Sequence, residues 1–230
     1  MIQLLNNIMC DMVGDVFSNH AIMTDDGHGW FTQGKRSYPS PLVTDPVFYE
    51  NEFNSIVEAK LMLLIDYCEI EHRQLSPGAI DTELEHREQF EQTLVADIKR
   101  RGKKPLGVSI HCDAWSDPNK PNEQNSAHGF CVYYYQKAGT HSVEGKKLAR
   151  AVADSIIASD SDNDTVISPR HDNGISGANF FILRETDAPW ILIENGFMTN
   201  DGDLAWLRND NFRNARALAI LDGLYNYVKS

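Results

Sequence analysis

Apolar side chains along this chain alternate between helical spacing and short uninterrupted runs. Leu5, Ile8, Met9, Met12, Val13 and Val16 recur every three or four positions, which predicts an amphipathic helix over 1–17 that packs on the domain or on a partner. The run Ala21-Ile22-Met23 predicts a strand at about 20–24. Helical spacing returns over 50–70, with Phe53, Ile56, Val57, Leu61 and Leu64 on one face. It recurs over roughly 82–100, with Leu84, Leu94, Val95 and Ile98 inward. Further strands are predicted at 106–112, 130–135, about 180–183 and 190–193. Helices are predicted at 142–158 (Val143, Leu148, Val152, Ile156) and 211–228 (Ala217, Ile220, Leu221, Leu224, Val228). Prolines and polar residues mark loops at 30–49 (Pro39, Pro41, Pro46) and 113–127 (Pro118, Pro121), and a turn at Asp187–Pro189. Strands alternating with helices imply an α/β sheet covered on both faces. With no repeat, low-complexity tract or linker, residues 20–230 read as one domain and 1–19 as an N-terminal helical extension.

At 230 residues the chain can bury a sizeable core, and 42% hydrophobic with 10% aromatic residues suits an ordinary globular protein. Asp and Glu outnumber Lys and Arg by 33 to 21, a net charge of −12. That balance argues against nucleic acid, or an anionic membrane surface, as a partner held by charge. No stretch approaches the length of a transmembrane span, so membrane insertion is not expected. The first basic residue is Lys35, and Asn6, Asn7, Asp11 and Asp15 interrupt the early apolar residues. A secretory signal is therefore not expected: the protein is made in the cytoplasm, and an external target requires a separate release route. Cys10, Cys68, Cys112 and Cys131 are scattered and read as reduced thiols. Cys112 adjoins His111, but strand neighbours face opposite ways, so it reads as a small core residue.

Three apolar runs each end on an ionisable side chain. His28 lies in Thr24-Asp-Asp-Gly-His-Gly29 after the first run, His111 ends Leu106-Gly-Val-Ser-Ile-His111, and Glu194 ends Trp190-Ile-Leu-Ile-Glu194. Open α/β proteins place ligands at one edge of the sheet, so these side chains are candidates for one crevice. Glu50 falls in the first turn of a predicted helix, where the helix dipole favours a carboxylate. Glu52 lies about 200° further round that helix, so only one of the two faces the site. Two neutral imidazoles and one carboxylate leave the fourth tetrahedral position of a catalytic zinc open to water, which such an ion acidifies.

An isolated histidine has many other uses, and His20, His72, His86, His128, His141 and His171 carry no sign of metal binding. His28 stands apart because its flanking glycines let backbone approach closely. His111 stands apart because an ionisable group ending an apolar strand needs a partner. For Glu194, burial behind Trp190–Ile193 favours a shifted pKa and proton transfer, whereas a carboxylate capping an Asn195-Gly196 turn is the structural alternative. HExxH, GxSxG and P-loop patterns are absent. Asp160, Asp162 and Asp164 mimic a calcium loop, but Thr165 replaces the glycine and His171 the closing glutamate, so a solvated acidic turn is expected.

Several segments, taken in order, carry a family resemblance. They are Asp26-Gly-His-Gly29, Glu50 with Asn54, Ser109-Ile-His111, Gly129–Tyr134, Phe181–Arg184 followed by Pro189, and Ile193–Asn200 with Asp203. Over about 21–228 the chain resembles the zinc-dependent N-acetylmuramoyl-L-alanine amidases of the type-3 class, which include bacterial cell-wall amidases and phage endolysins. The resemblance implies a single twisted, mostly parallel sheet of about six strands with helices on both faces. It implies one zinc per chain held by His28, Glu50 and His111, with Glu194 as the catalytic carboxylate. It favours Glu50 over Glu52, because the family glutamate precedes an asparagine by four.

The substrate implied is peptidoglycan, cut at the amide between N-acetylmuramic acid and L-alanine. A phage-type lysin freed by a holin-type or lysis-dependent route is the expected setting. Arg184 is a candidate for a substrate carboxylate or for a structural ion pair. Three departures stand out: Asp26 where the family has proline, a long loop between His28 and Glu50, and the N-terminal helix. The competing readings are a zinc peptidase acting on the stem peptide, and a non-catalytic wall-binding or virion component that keeps the fold.

Overall fold

The computed structural model describes residues 7–30, 32–38, 47–76, 80–115, 126–159 and 168–230, with side chains from residue 12 onward. Its centre is three parallel strands: β1 (His20–Asp25), β3 (Lys104–Asp113) and β7 (Trp190–Phe197). β2 (His72–Gln74) lies parallel to β1 at one edge. On the other side β4 (Cys131–Lys137) runs antiparallel to β7, β5 (Thr140–His141) antiparallel to β4, and β6 (Ile175–Ala178) parallel to β4. The seven strands run β2-β1-β3-β7-β4-β5, with β6 beside β4, so the expected single, mostly parallel sheet holds.

The central strands read as continuous apolar runs because helices cover both of their faces. On one face α2 (Glu50–Tyr67), α4 (Val143–Ser159) and α7 (Asp210–Lys229) bury Phe53, Leu61, Val152, Ile156, Ile220 and Leu224 against Val108, Ile110, Ile191 and Ile193. α1 (Asn7–Val16) packs Val13 on the same cluster. On the other face α3 (Leu84–Arg100) and α5 (Phe181–Arg184) bury Val95, Ile98, Ile182 and Leu183 against Ala21, Met23, Trp190 and Leu192. Trp190 lies over Gly107, where a Cβ would sit 2.0 Å from the indole, so only glycine fits. A short helix, α6 (Asp201–Leu207), follows β7 and is capped by the Asn200 side chain.

Four expectations are corrected. The predicted strand at about 180–183 is the helix α5; a four-residue apolar run fits either structure, and β6 already pairs with β4 there. β7 continues to Phe197, so Asn195-Gly196 is strand rather than a turn needing a carboxylate cap. A register shift between His111 and Asp113 absorbs one extra residue on β7, and Gly196 takes φ +142°. Leu84 (47% exposed) and Val143 (56% exposed) do not point inward. On α3 the inward phase is held by Arg87, Glu91, Val95 and Ile98, a helical repeat that is polar in its first half.

The short elements β2, β5, β6 and α6 lack an apolar period and exist through pairing and capping. Cys68, Cys112 and Cys131 are buried free thiols, and Cys112 does face away from His111 into the larger apolar cluster. No helix among the described residues is long and apolar enough to cross a membrane. Leu5, Pro39, Pro41, Pro46, Pro118, Pro121, Asp160, Asp162, Asp164 and Thr165 lie outside the described residues, as do the Ile8, Met9 and Cys10 side chains.

Candidate metal centre

The parallel strands β1, β3 and β7 end at the same edge of the sheet, and the candidate side chains gather there. His28 follows β1 through Gly27, whose φ of +73° is a left-handed conformation. A Cβ at Gly27 would sit 2.6 Å from His111 Cε1 and 2.9 Å from Asn54 Nδ2, so the two histidine segments meet only because this residue is glycine. The Asn51 side-chain amide donates to the His28 carbonyl and ties that turn to the start of α2. His111 and Glu194 are register partners on β3 and β7. Glu50, 1% exposed, is the first residue of α2 and reaches the edge from the larger apolar face.

The donor atoms of His28, Glu50 and His111 lie within 4.8 Å of one another. His111 Nδ1 is 2.9 Å from Glu50 Oε1, and His28 Nε2 is 3.8 Å from Glu50 Oε2. The two imidazole rings stand 5.1 Å apart, edge to face. Glu50 Oε1 also accepts from the Cys112 backbone N–H at 3.2 Å. Its Oε2 is buried with no hydrogen-bond partner. This oxygen lies 3.8 Å from both His28 Nε2 and Lys35 Nζ. A buried carboxylate oxygen without a hydrogen-bond partner, on a group that meets two imidazoles, fits a divalent cation, and two nitrogens with one oxygen is a donor set zinc accepts. Glu52 points elsewhere, accepting from Arg213 Nη2 at 2.9 Å, so geometry selects Glu50.

Burial sets the protonation states. It lowers the His28 pKa to about 4, against the pull of Glu50, and keeps that imidazole neutral. Burial alone would also lower His111, but the hydrogen bond and charge of Glu50 outweigh it and raise the value. Burial would lift Glu50, yet His111, His28 and Lys35 together hold it below the usual carboxylate range. Glu194 goes the other way: burial raises it and the nearby Glu50 charge adds to the rise, against the pull of His111. Its Oε2 is also buried without a partner. With His28 and His111, Glu194 lines a cavity of about 490 Å³.

Arg184 does not line that cavity. Its guanidinium pairs with Glu185, donates to the Asn179 carbonyl at 3.4 Å and lies over the Phe181 ring. Its neighbours Phe180, Phe181 and Ile182 form part of the cavity wall instead. Of the remaining histidines, His72 pairs with Asp66 and His128 contacts the Ser126 carbonyl. Sequence reasoning missed Asp25, Asp81 and Arg87, which surround the histidines. A signal for Arg87 existed: it shares a helical phase with Val95 and Ile98, and a charged residue on an apolar helix face requires a buried partner.

The sequence and the fold both match known proteins. The family model described as N-acetylmuramoyl-L-alanine amidase matches residues 22–226. An uncharacterized cell wall amidase of Bacillus anthracis is 27% identical over 137 residues, covering 58% of this chain and 23% of that protein. The N-acetylmuramoyl-L-alanine amidase LytC of Bacillus subtilis is 28% identical over 127 residues, covering 54% of this chain and 22% of LytC. The matched regions span less than a quarter of either relative. The crystal structure of an N-acetylmuramoyl-L-alanine amidase from Clostridium difficile 630 superposes with a TM-score of 0.70 at 26% identity, covering 92% of this chain and 97% of that one.

Proposed function

The chain belongs to the N-acetylmuramoyl-L-alanine amidase family, and from that premise we propose that it hydrolyses the amide between N-acetylmuramic acid and L-alanine in peptidoglycan. The observation that carries this reading is the convergence of His28, Glu50 and His111 within 4.8 Å, beside a cavity that Glu194 also lines. His28, Glu50 and His111 would hold one zinc ion. When bound, zinc supplies Lewis acidity, which polarises a carbonyl and lowers the pKa of water.

The protein's own groups do the rest. Burial holds His28 neutral, so its lone pair is available to a cation. Glu50 brings the negative charge that offsets part of the ion's. Glu194, with its pKa raised by burial, takes a proton from the attacking water and returns it to the leaving amine nitrogen. Residues 20–230 form the catalytic domain in this reading, and 1–19 an extension of it. The setting we propose is a phage-type lysin reaching the wall after release.

The deciding experiment digests purified peptidoglycan with the zinc-loaded protein and maps the products by mass spectrometry. Intact stem peptides with a free L-alanine amine are expected, together with loss of activity on chelation and its return with zinc. Shortened stem peptides would make the protein a peptidase, and an unchanged polymer would leave it a non-catalytic wall component. Lysis of intact bacterial cells by added protein tests the lysin setting.

A further inference from the structure

We propose that Arg87 is a positioning residue for both imidazoles of the metal centre, acting through two carboxylates that each face one histidine; this rests on His28 and His111 being ligands. Arg87 is 4% exposed, and all three kinds of guanidinium nitrogen are engaged. Nη1 donates to Asp25 Oδ1 at 2.5 Å, Nη2 to Asp81 Oδ1 at 2.9 Å, and Nε to the Thr82 carbonyl at 2.8 Å. The planar fork thereby fixes the end of β1 and the segment before α3 relative to each other.

From Asp25 the connection runs to His111. Ser109 Oγ donates to Asp25 Oδ2 at 2.6 Å and lies 3.0 Å from His111 Nε2. Arg87, Ser76 and Ser109 all donate to Asp25, so that carboxylate accepts throughout. A hydroxyl has one proton. Ser109 gives its proton to Asp25, so its oxygen accepts from His111, and Nε2 carries the imidazole hydrogen. Nδ1, which hydrogen-bonds Glu50 while no ion is bound, is then the nitrogen that gives up its hydrogen and offers a metal its lone pair.

From Asp81 the connection runs to His28. Asp81 Oδ2 accepts from Thr32 Oγ1 at 2.6 Å and lies 3.8 Å from His28 Nδ1. That is an electrostatic contact rather than a hydrogen bond. It favours the hydrogen on Nδ1 and leaves Nε2 towards Glu50. The two arms share no residue except Arg87.

The test measures zinc affinity by competition with a chromophoric chelator, and the absorption spectrum of the cobalt-substituted protein. Neither readout needs peptidoglycan. Ser109→Ala and Asp81→Asn are each expected to weaken zinc binding by about 10–100-fold and to shift the cobalt bands. Ser109→Thr, which keeps the hydroxyl, is expected to restore both. Arg87→Lys keeps the charge but cannot bridge two carboxylates; it is expected to weaken zinc at least as much, and Ser109→Ala should cost less in that background than in the wild type. Wild-type zinc affinity and cobalt bands in a folded Arg87→Lys protein would overturn the proposal. If Arg87→Lys does not fold, unchanged zinc affinity in both Ser109→Ala and Asp81→Asn overturns it equally. A protein that binds zinc through this network yet leaves peptidoglycan intact would refute the proposed function alone.

Discussion

The two faces of the sheet follow opposite rules. The face under α2, α4 and α7 is apolar almost throughout, with Phe53, Leu61, Val152, Ile220 and Leu224 closing on Val108, Ile110, Ile191 and Ile193. The face under α3 and α5 is apolar only towards one end. There Val95 and Ile98 meet Ala21, Met23 and Trp190, while Arg87 and Glu91 continue the same helical stripe towards the site. Glu91 Oε1 accepts from Trp190 Nε1 at 2.9 Å, and Arg87 joins Asp25 to Asp81. Buried polar groups are costly unless partnered, and on this face they partner one another next to the strand ends where chemistry is proposed. One face chiefly holds the fold together; the other, helped by Glu50 reaching past the edge, holds the geometry of the site.

Substitutions on the two faces should therefore separate activity from stability. Glu194→Ala is expected to lower amidase activity by about 10²–10⁴-fold, with zinc content still near one per chain and no loss of melting temperature. A fully active variant would remove Glu194 from its proposed role. Leu61→Ala, on the apolar face, is expected to cost about 2–5 kcal/mol in urea unfolding while leaving zinc affinity unchanged.

Glu58 tests the boundary, because it is a buried carboxyl on the helix that covers the apolar face. Burial raises its pKa to about 8, whereas a free glutamate ionises near 4.5. Between those values the native state keeps a proton that the unfolded chain has lost. Stability therefore falls as pH rises through that window and levels off above it. Glu58→Gln is expected to be about 1–3 kcal/mol more stable than wild type at pH 8–9, the gap closing by pH 4, as followed by thermal melts. A gap independent of pH would assign the effect to packing. The smallest change is expected for Val143→Ser at an exposed helix start, within about 0.5 kcal/mol of wild type by the same melts.

The larger apolar face was legible because its helices repeat strictly: Phe53, Val57, Leu61 and Leu64 on α2, and Ala217, Ile220, Leu221 and Leu224 on α7, are all buried. The polar half of α3 was not legible because apolar spacing points to Leu84, which is exposed, and passes over Arg87, which is buried. Hydropathy cannot show that a guanidinium has a buried carboxylate, Asp25, and a second at the surface, Asp81, waiting for it. The segment at 180–183 failed for a different reason, since four apolar residues suit one helical turn as well as a strand. The three residues His28, Glu50 and His111 were found from their local settings and a family resemblance, and the structure brings all three together. Arg184 faces its neighbour Glu185 rather than the cavity, because α5 turns it away.

By itself the sequence determined the periods of its helices, the apolar runs of its central strands and the ionisable residues that end them, because those features are local. Tertiary structure decided which glutamate of the pair at 50 and 52 enters the site, which nitrogen of His111 faces it, and that Arg87 spans Asp25 and Asp81. Each of these depends on groups far apart in the chain meeting at hydrogen-bond distance, and neither period nor composition carries that distance.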